Sequence, residues 1–395
     1  MVFGASGFIG RWLVRELLGQ DVTTAAVVRS DSSADQLLHW LKEHQAPSLP
    51  EVVRAGFDRD YFGWRPGQAP VATEVYNMAG AYAFGMTTAQ ARAANVDTAR
   101  RVVSFAATLP GLVRLVHLSG YRVGGQDPAT VPWTTQRINA QYRRLGAYEA
   151  SKVESDAVVQ SHARNLGVPF SIVNPSTDIG DSHTGESPQT LGLGTTVLDL
   201  LAGRMPALPG GHNTFVPIVT VDYLATFVAL LATRADTDGL SYWVLADTTP
   251  PLPDLLGLIG DDHGVDVPRI HVPVALLKRL PSKIARRPRD PELPGHRLLP
   301  HRPSRRPGPR ARTQPPRCRR VPVPLEPLPG PTGPAPHRAR RTNRAPQRTG
   351  DANTKHRRTL RRTTTEGHRR AREGVGGIIV RSSMDVLSPA GTDLA

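Results

Sequence analysis

The chain opens MVFGASGFIG (residues 1–10), and its glycines, Gly4, Gly7 and Gly10, are spaced G-x-x-G-x-x-G and lead directly into RWLVRELL. Glycine at the first position permits a tight turn, at the second lets backbone approach a pyrophosphate, and at the third lets the helix pack closely. The helix start then offers unpaired N–H groups and the positive end of its dipole to an anion. Ser6, Phe8 and Ile9 belong to the same loop and complete the expected phosphate cradle. Only Met1, Val2 and Phe3 precede it, so the strand that should carry the loop reads as shortened. A shortened central strand would leave neighbouring ladder groups unpaired, at about 1–3 kcal/mol for each buried one. The expectation is a start codon assigned too late or, with Met1 truly first, a marginal domain with weakened ligand affinity.

Working outward, short apolar runs alternate with helical periodicity as far as residue 285. The sequence predicts strands over 23–28, 51–55, 74–78, 112–118 and 170–173. Helical patterns run over 9–18, 34–44, 91–107 and 148–166. Strand and helix in alternation argue an α/β, doubly wound parallel sheet of the dinucleotide-binding type, with helices on both faces. Several strands are apolar without alternation, as burial on both faces requires. The apolar stretch FVPIVTVDYLATFVALLAT (215–233) carries Asp222 and reads as a strand and a buried helix rather than a membrane span.

The net charge of +15 is unevenly placed. Residues 1–285 carry about 23 basic and about 26 acidic side chains, near neutrality. The excess lies in residues 286–395, rich in Arg and Pro, and no aromatic residue follows Trp243. Such a segment buries too little apolar area to offset its ordering entropy, so 286–395 is expected to be a disordered basic tail. Two origins stay open for it: a basic arm binding nucleic acid, or translation out of frame. The first 285 residues alone give no reason to expect a nucleic-acid partner or a membrane span. The single cysteine, Cys318, fits a reducing compartment, hence a cytoplasmic expectation. His117, His162 and His183 lack the spacing of metal ligands, so no metal is expected.

The second predicted strand ends in VVRSD. A site preferring NAD would place an acidic residue there for the ribose 2′-hydroxyl, whereas Arg29 and Ser30 suit a 2′-phosphate. NADP is the expected cofactor, and the nearby Asp31 leaves NAD open. In GAYEASKVESD, Tyr148 and Lys152 stand four apart on one helix face. An ammonium beside a phenol favours the phenolate, which then exchanges a proton with a substrate oxygen. Lys152 is also placed to anchor the nicotinamide ribose.

Taken together, GASGFIG, VVRS, YNMAG, HLSGYRVGG, YEASK and IVNPSTDIGDSHTGE resemble an extended short-chain dehydrogenase/reductase. The likeness is to the NAD(P)-dependent epimerase/dehydratase and fatty-acyl or thioester reductase type, over residues 1–285. It implies an NAD(P)-binding domain whose substrate-side elements lie mainly within 176–285. By position, Ala79 and Gly80 would pass behind the cofactor ribose, Asp58 would lie near the adenine, and Asn95 would steady the site. Pro175 and Ser176 would hold the nicotinamide amide. Tyr148 and Lys152 would be catalytic and would also contact the cofactor. The usual Ser or Thr after the fifth strand aligns with Gly120, leaving Ser119 as the candidate donor to the substrate oxygen. The implied activity is hydride transfer between nicotinamide and a small-molecule carbonyl or hydroxyl substrate, with acyl, thioester or sterol-like compounds as the implied class and a homodimer as the implied assembly. Sugar-nucleotide epimerase or dehydratase chemistry, or a non-catalytic NAD(P)-binding regulator, stay open beside it.

Overall fold

The computed structural model describes residues 1–65, 67–81, 85–187 and 192–273, and the backbone of 378–382. Residues 274–377 and 383–395 lie outside the described residues. Strand β1 (Val2–Phe3) sits mid-sheet. It pairs in parallel with β2 (Ala25–Val28) and β4 (Glu74–Asn77), placing Val2 opposite Ala26 and Tyr76. Strand β3 (Glu51–Arg54) flanks β2, while β5 (Arg114–Leu118), β6 (Phe170–Pro175) and β10 (Leu240–Ala246) extend the other side. The order β10-β6-β5-β4-β1-β2-β3 is parallel throughout. It reverses direction of growth at β1, the topological switch point where such sheets bind ligands.

The brevity of β1 leaves less unpaired than its length suggests, because β2 and β4 are themselves only four residues long. On the β4 side, Met1 O accepts from Tyr76 N at 2.9 Å and Phe3 O from Met78 N at 3.0 Å. The Met1 ammonium donates to Glu74 O at 2.8 Å.

Alternation in the strands divides the core between two faces. Val2, Val116 and Val173 face α1 (Phe8–Gly19), α2 (Asp31–Glu43) and α8 (Val221–Thr233), through Trp12, Leu13, Leu41, Leu224 and Val228. Phe3, Val75, Leu115 and Ile172 face α4 (Thr98–Ala106) and α6 (Ala147–Leu166). The predicted stretch 215–233 is thus β9 (Ile218–Val219) followed by the buried helix α8.

Local chemistry sets the helix limits. Ser30 caps α2, accepting from Ser33 N. Thr87 and Gln90 form a capping box on α3 (Thr88–Ala91), and Gly167 in the left-handed conformation ends α6. Between α3 and α4 the helix widens to a π-turn over Arg92–Asp97. The pattern over 91–107, which reads as one helix, is therefore three joined segments.

Within 176–273 lie β7 (Thr177–Asp178) paired with β9, and β8 (Leu208–Pro209) paired with β11 (His271–Val272). A small cluster of Leu200, Leu208, Leu252 and Leu256 joins α7 (Leu193–Leu201) to α9 (Leu252–His263). Within the same stretch, α8 and β10 belong to the central layers.

Within 286–395 the described residues are 378–382. Residues Ile378–Ser382 form β12, antiparallel to β10, with Val380 opposite Val244. Ile378, Ile379 and Val380 are a β-branched run, and the free edge of β10 supplies the ladder for it. The remaining tail positions lie outside the described residues, as does the question of reading frame.

Phe3 anchors the α4/α6 face, fully buried against Phe62 at 4.6 Å, Phe105 at 5.8 Å and Trp64 at 6.2 Å between ring centroids. Phe3→Ala is expected to destabilise the fold by about 3–5 kcal/mol. Chemical denaturation followed by tryptophan fluorescence checks this.

Candidate active site

The glycine loop is built from close backbone contacts. Gly4 has φ +76, and a Cβ there would lie 2.8 Å from Ala79 N and Cα. A Cβ on Gly10 would run into the Gly4 carbonyl oxygen, which already accepts from Gly7 N at 3.0 Å. Gly7 caps α1 in an extended conformation with no side-chain hydrogen bond, and no acidic residue lies in the first turn. Phe8 is buried and Ile9 packs against the core, so the helix start is fixed while its N–H groups stay available to an anion.

At the ends of β2 and β3, Arg29 is exposed and Asp58 is exposed beyond β3. The Ser30 hydroxyl serves as the α2 cap, accepting from Ser33 N at 3.2 Å, so its first role is structural. Asp31 forms an ion pair with Arg54. That pairing draws the nearby carboxylate toward β3 and leaves Arg29 without a counter-charge among the described ion pairs.

The turn after β4 is held by two asparagines. Asn77 Oδ1 accepts from Ala79 N at 3.2 Å. Asn95, in the π-turn and buried, accepts from Ala81 N at 2.9 Å and donates to Ser151 Oγ at 2.8 Å. Its side chain therefore ties the Ala79–Gly80 turn to α6 from behind. Ser155 Oγ donates to Asn95 O at 3.1 Å, adding a second tie. Sequence reasoning missed Ser151 and Ser155, although both flank Lys152 on α6. Arg92 and Tyr142 lock the same joint by bonding the buried Glu154 at 2.8–3.0 Å.

Helix α6 carries Tyr148, half-buried, and one turn later Lys152, buried at the C-terminal end of β5. Lys152 Nζ donates to Leu118 O at 2.9 Å. Burial lowers its pKa to about 8, opposed by the negative charge of Asp156. His117 is fully enclosed, its Nδ1 paired with Asn77 Nδ2 at 3.0 Å. Burial and the neighbouring Lys152 push it down to about 3, so it is a neutral core histidine near pH 7. Ser119 follows Leu118 and is buried, its N–H donating to Val173 O at 2.8 Å while its Oγ makes no hydrogen bond of normal geometry and lies near Asp156. A side chain on Gly120 would press on Val123 at 3.1 Å, so the aligned position has little room for the usual hydroxyl.

Across from it, Tyr121 N donates to Pro175 O and Ser176 N to Val244 O, both at 3.0 Å, fixing the chain beyond β6. Ser176 Oγ and both amide atoms of Asn174 are buried without partners. Asn174 went unnoticed in the sequence.

A second polar group lies in the loop after β7. Asp181, His183 and Asp222 hold ligand atoms within 4.8 Å of one another, a juxtaposition that spacing along the chain does not disclose. Asp181 Oδ2 already accepts from Thr184 N and Oγ1 at 2.7 Å, and Asp222 from Ser182 Oγ at 2.6 Å. Nearby, Asp178 is pushed up to about 7 by burial and by Asp222. Glu186 reaches back to bond Arg11 and Trp40 Nε1 at 3.0 Å, and His44, clamping this loop onto α1 and α2.

A glycine turn at the switch point, a bare helix start and a Tyr–Lys pair beside β5 define an extended short-chain dehydrogenase/reductase fold. The family described as Male sterility protein, an NAD-binding family, matches residues 2–228, and the chain belongs to it. By that membership it falls among the NAD(P)-dependent reductases and epimerases of the extended type. A Synechocystis sp. protein named provisionally as a dihydroflavonol 4-reductase is 28% identical over 285 residues, 70% of this chain and 75% of that protein.

Among solved structures, gox2253 aligns with a TM-score of 0.54 and 24% identity, covering 70% of this chain and 78% of that one. The terminal R domain of the myxalamid PKS-NRPS pathway aligns with a TM-score of 0.53 and 19% identity, covering 66% and 68%. These two likenesses bear on the fold. Among the described residues no helix is long and apolar enough to cross a membrane.

The residues present fit a nicotinamide dinucleotide: a cradle that any Cβ at Gly4 or Gly10 would fill, and an orphan hydroxyl at Ser176. Gly4→Ala is expected to weaken NADPH binding by at least about tenfold, since it opposes a positive φ and displaces the turn at Ala79. Titration of NADPH fluorescence reads the effect.

Proposed function

We propose that this chain is an NADP-dependent oxidoreductase that interconverts a carbonyl and a hydroxyl group. Residues 1–285 form the working body, with substrate-side elements mainly within 176–285. The observation that carries the reading is the buried Lys152, one helical turn from Tyr148 and bonded to the end of β5 at Leu118 O. An ammonium kept in so enclosed a place is costly, and functional sites are where such costs are retained. The family membership and the reductase name of the Synechocystis relative favour reduction of a carbonyl. Acyl, thioester or sterol-like carbonyls are the substrate class proposed, in a cytoplasmic homodimer.

The cofactor, when bound, supplies or accepts the hydride. Gly4, Ser6, Gly7, Phe8, Ile9 and Gly10 would hold its pyrophosphate against the start of α1. Arg29 and Ser30 would meet the 2′-phosphate, with Asp58 near the adenine. Ala79 and Gly80, held by Asn95, would back the ribose, and Pro175 with Ser176 would take the carboxamide. Tyr148 donates its phenolic proton to the substrate oxygen in reduction, the Lys152 ammonium makes that phenol a stronger acid, and Ser119 Oγ hydrogen-bonds the same oxygen.

Two outcomes test this. Tyr148→Phe should lower kcat on a panel of aldehydes, ketones and acyl thioesters by about 10²–10⁴-fold, the usual range for one acid–base group. NADPH affinity should stay unchanged. Arg29→Ala should weaken NADPH binding by about tenfold or more, as expected for loss of a charge-assisted hydrogen bond, without weakening NADH. Equal losses for both coenzymes would refute the NADP preference, and full turnover in Tyr148→Phe would refute the enzyme reading.

A further inference from the structure

Tyr148, Lys152 and Asp156 recur at intervals of four along α6, so one helix stripe carries a phenol, an amine and a carboxylate. The third member is the most enclosed, at 0% exposure. Its Oδ2 accepts from Gln126 N and from Gln160 Nε2, both at 2.9 Å. Its Oδ1 accepts no hydrogen bond of normal geometry, and no cation pairs with it directly among the described ion pairs. Ser119 Oγ, also buried and without a bond of normal geometry, is close enough to help stabilise the carboxylate. A carboxylate so deeply buried, with only one oxygen in hydrogen bonds of normal geometry, is costly to keep charged.

We propose that Asp156 is a positioning residue of this site: its buried carboxylate is the counter-charge that keeps Lys152 an ammonium beside Tyr148. The surroundings of Lys152 support this assignment. On its own helix it faces Tyr148 and Asp156. From β5 it meets the Leu118 carbonyl and the neutral His117. Two further carboxylates lie near it on α6: Glu154 is taken by Arg92 and Tyr142, and Glu149, three residues before Lys152 in the first turn, is only half-buried.

Burial disfavours both charges, lowering Lys152 and raising Asp156, and each opposes the shift of the other. Burial is the largest influence on Asp156, and hydrogen bonds from Gln126 N–H, Ser119 and Gln160 Nε2 favour its ionised form against it. With Asp156 neutralised, burial alone acts on Lys152, and it loses its proton at a lower pH. The role in proton transfer rests on the Tyr148–Lys152 reading above, whereas the charge coupling does not.

The test reads Lys152 directly. The full chain is labelled with 13Cε-lysine, the Lys152 signal is assigned by its loss in Lys152→Arg, and its midpoint is followed by NMR against pH. In the unsubstituted protein it should titrate near 8. Asp156→Asn should lower that midpoint by about one pH unit or more, the size of a close charge interaction, and Asp156→Glu should return it most of the way. An unmoved midpoint in folded Asp156→Asn would overturn the proposal. So would an equal drop in Asp156→Glu, which marks a packing effect.

Should Asp156→Asn fail to fold, Lys152→Met in 13Cγ-aspartate-labelled protein gives the reciprocal reading. The Asp156 midpoint should rise by the same coupling, and no rise overturns the proposal. Failure of this coupling leaves turnover in Tyr148→Phe untouched as a separate question, so the two readings fail independently.

Discussion

Everything in the site hangs from the backbone contact between Gly4 and Ala79. The chain leaves β1 after Phe3 and must reverse into α1 within a few residues. It must do so while lying against the turn that leaves β4. A positive φ at Gly4 makes the reversal, and the absence of a Cβ at Gly4 and Gly10 lets three backbone segments share one space. The result places the open N–H groups of α1 at the one point where the sheet grows away in both directions. A side chain at either glycine would widen the crevice and tilt α1. Trp12, Leu13 and Leu17 would then lose register with α8 across the apolar face. The phosphate cradle and the packing of that face are therefore one constraint.

The opposite face shows a different economy. Beyond Val75, Leu115 and Ile172, the next residues of β4, β5 and β6 on the same side are Asn77, His117 and Asn174. A core that is apolar along most of the strands becomes polar at their C-terminal ends, under α6. Several of its atoms make no hydrogen bond of normal geometry: His117 Nε2, Ser119 Oγ, Asp156 Oδ1 and the Asn174 amide. Native interiors hold few such groups, and their concentration in one layer beneath Tyr148 and Lys152 is what the proposed chemistry of this site would account for. The adjoining π-turn belongs to the same pattern. It departs from α-helix where Asn95 must face both the β4 turn and α6.

Features set by neighbours in sequence were legible, and those set by distant neighbours were not. The glycine spacing, the Tyr148–Lys152 interval and the apolar strands are local signals, and each lands in the element expected of it. Asn95 was legible as a position but not in its action, because Ser151 lies 56 residues away. Glu186 is invisible in its local sequence, since its partners Arg11 and His44 lie 175 and 142 residues earlier. The pairing of β12 with β10 is not legible in the sequence, because composition averaged over 286–395 conceals the short β-branched run Ile378–Val380. Gly120 was legible as a departure from the family pattern. What the sequence could not tell is that Val123 crowds that position while Ser119 stays buried beside Asp156.

The two jobs assigned to Lys152, acidifying a phenol and holding a ribose, ask for opposite surroundings. Acidifying Tyr148 demands a full positive charge in a poorly solvated place, where its field is strong. Holding hydroxyls demands free N–H donors, and an ammonium has three. One is committed to Leu118 O, which fixes the amine at the end of β5. That commitment leaves two donors for the crevice and removes the freedom to swing into solvent. Burial then lowers the pKa to about 8, close enough to neutrality that the proton is held but not tightly. An exposed lysine would keep its proton more firmly but lose most of its field to water. A buried one without a nearby carboxylate would lose its charge. The arrangement on α6, with amine and acid one turn apart and a polar layer beneath, sits between those two failures.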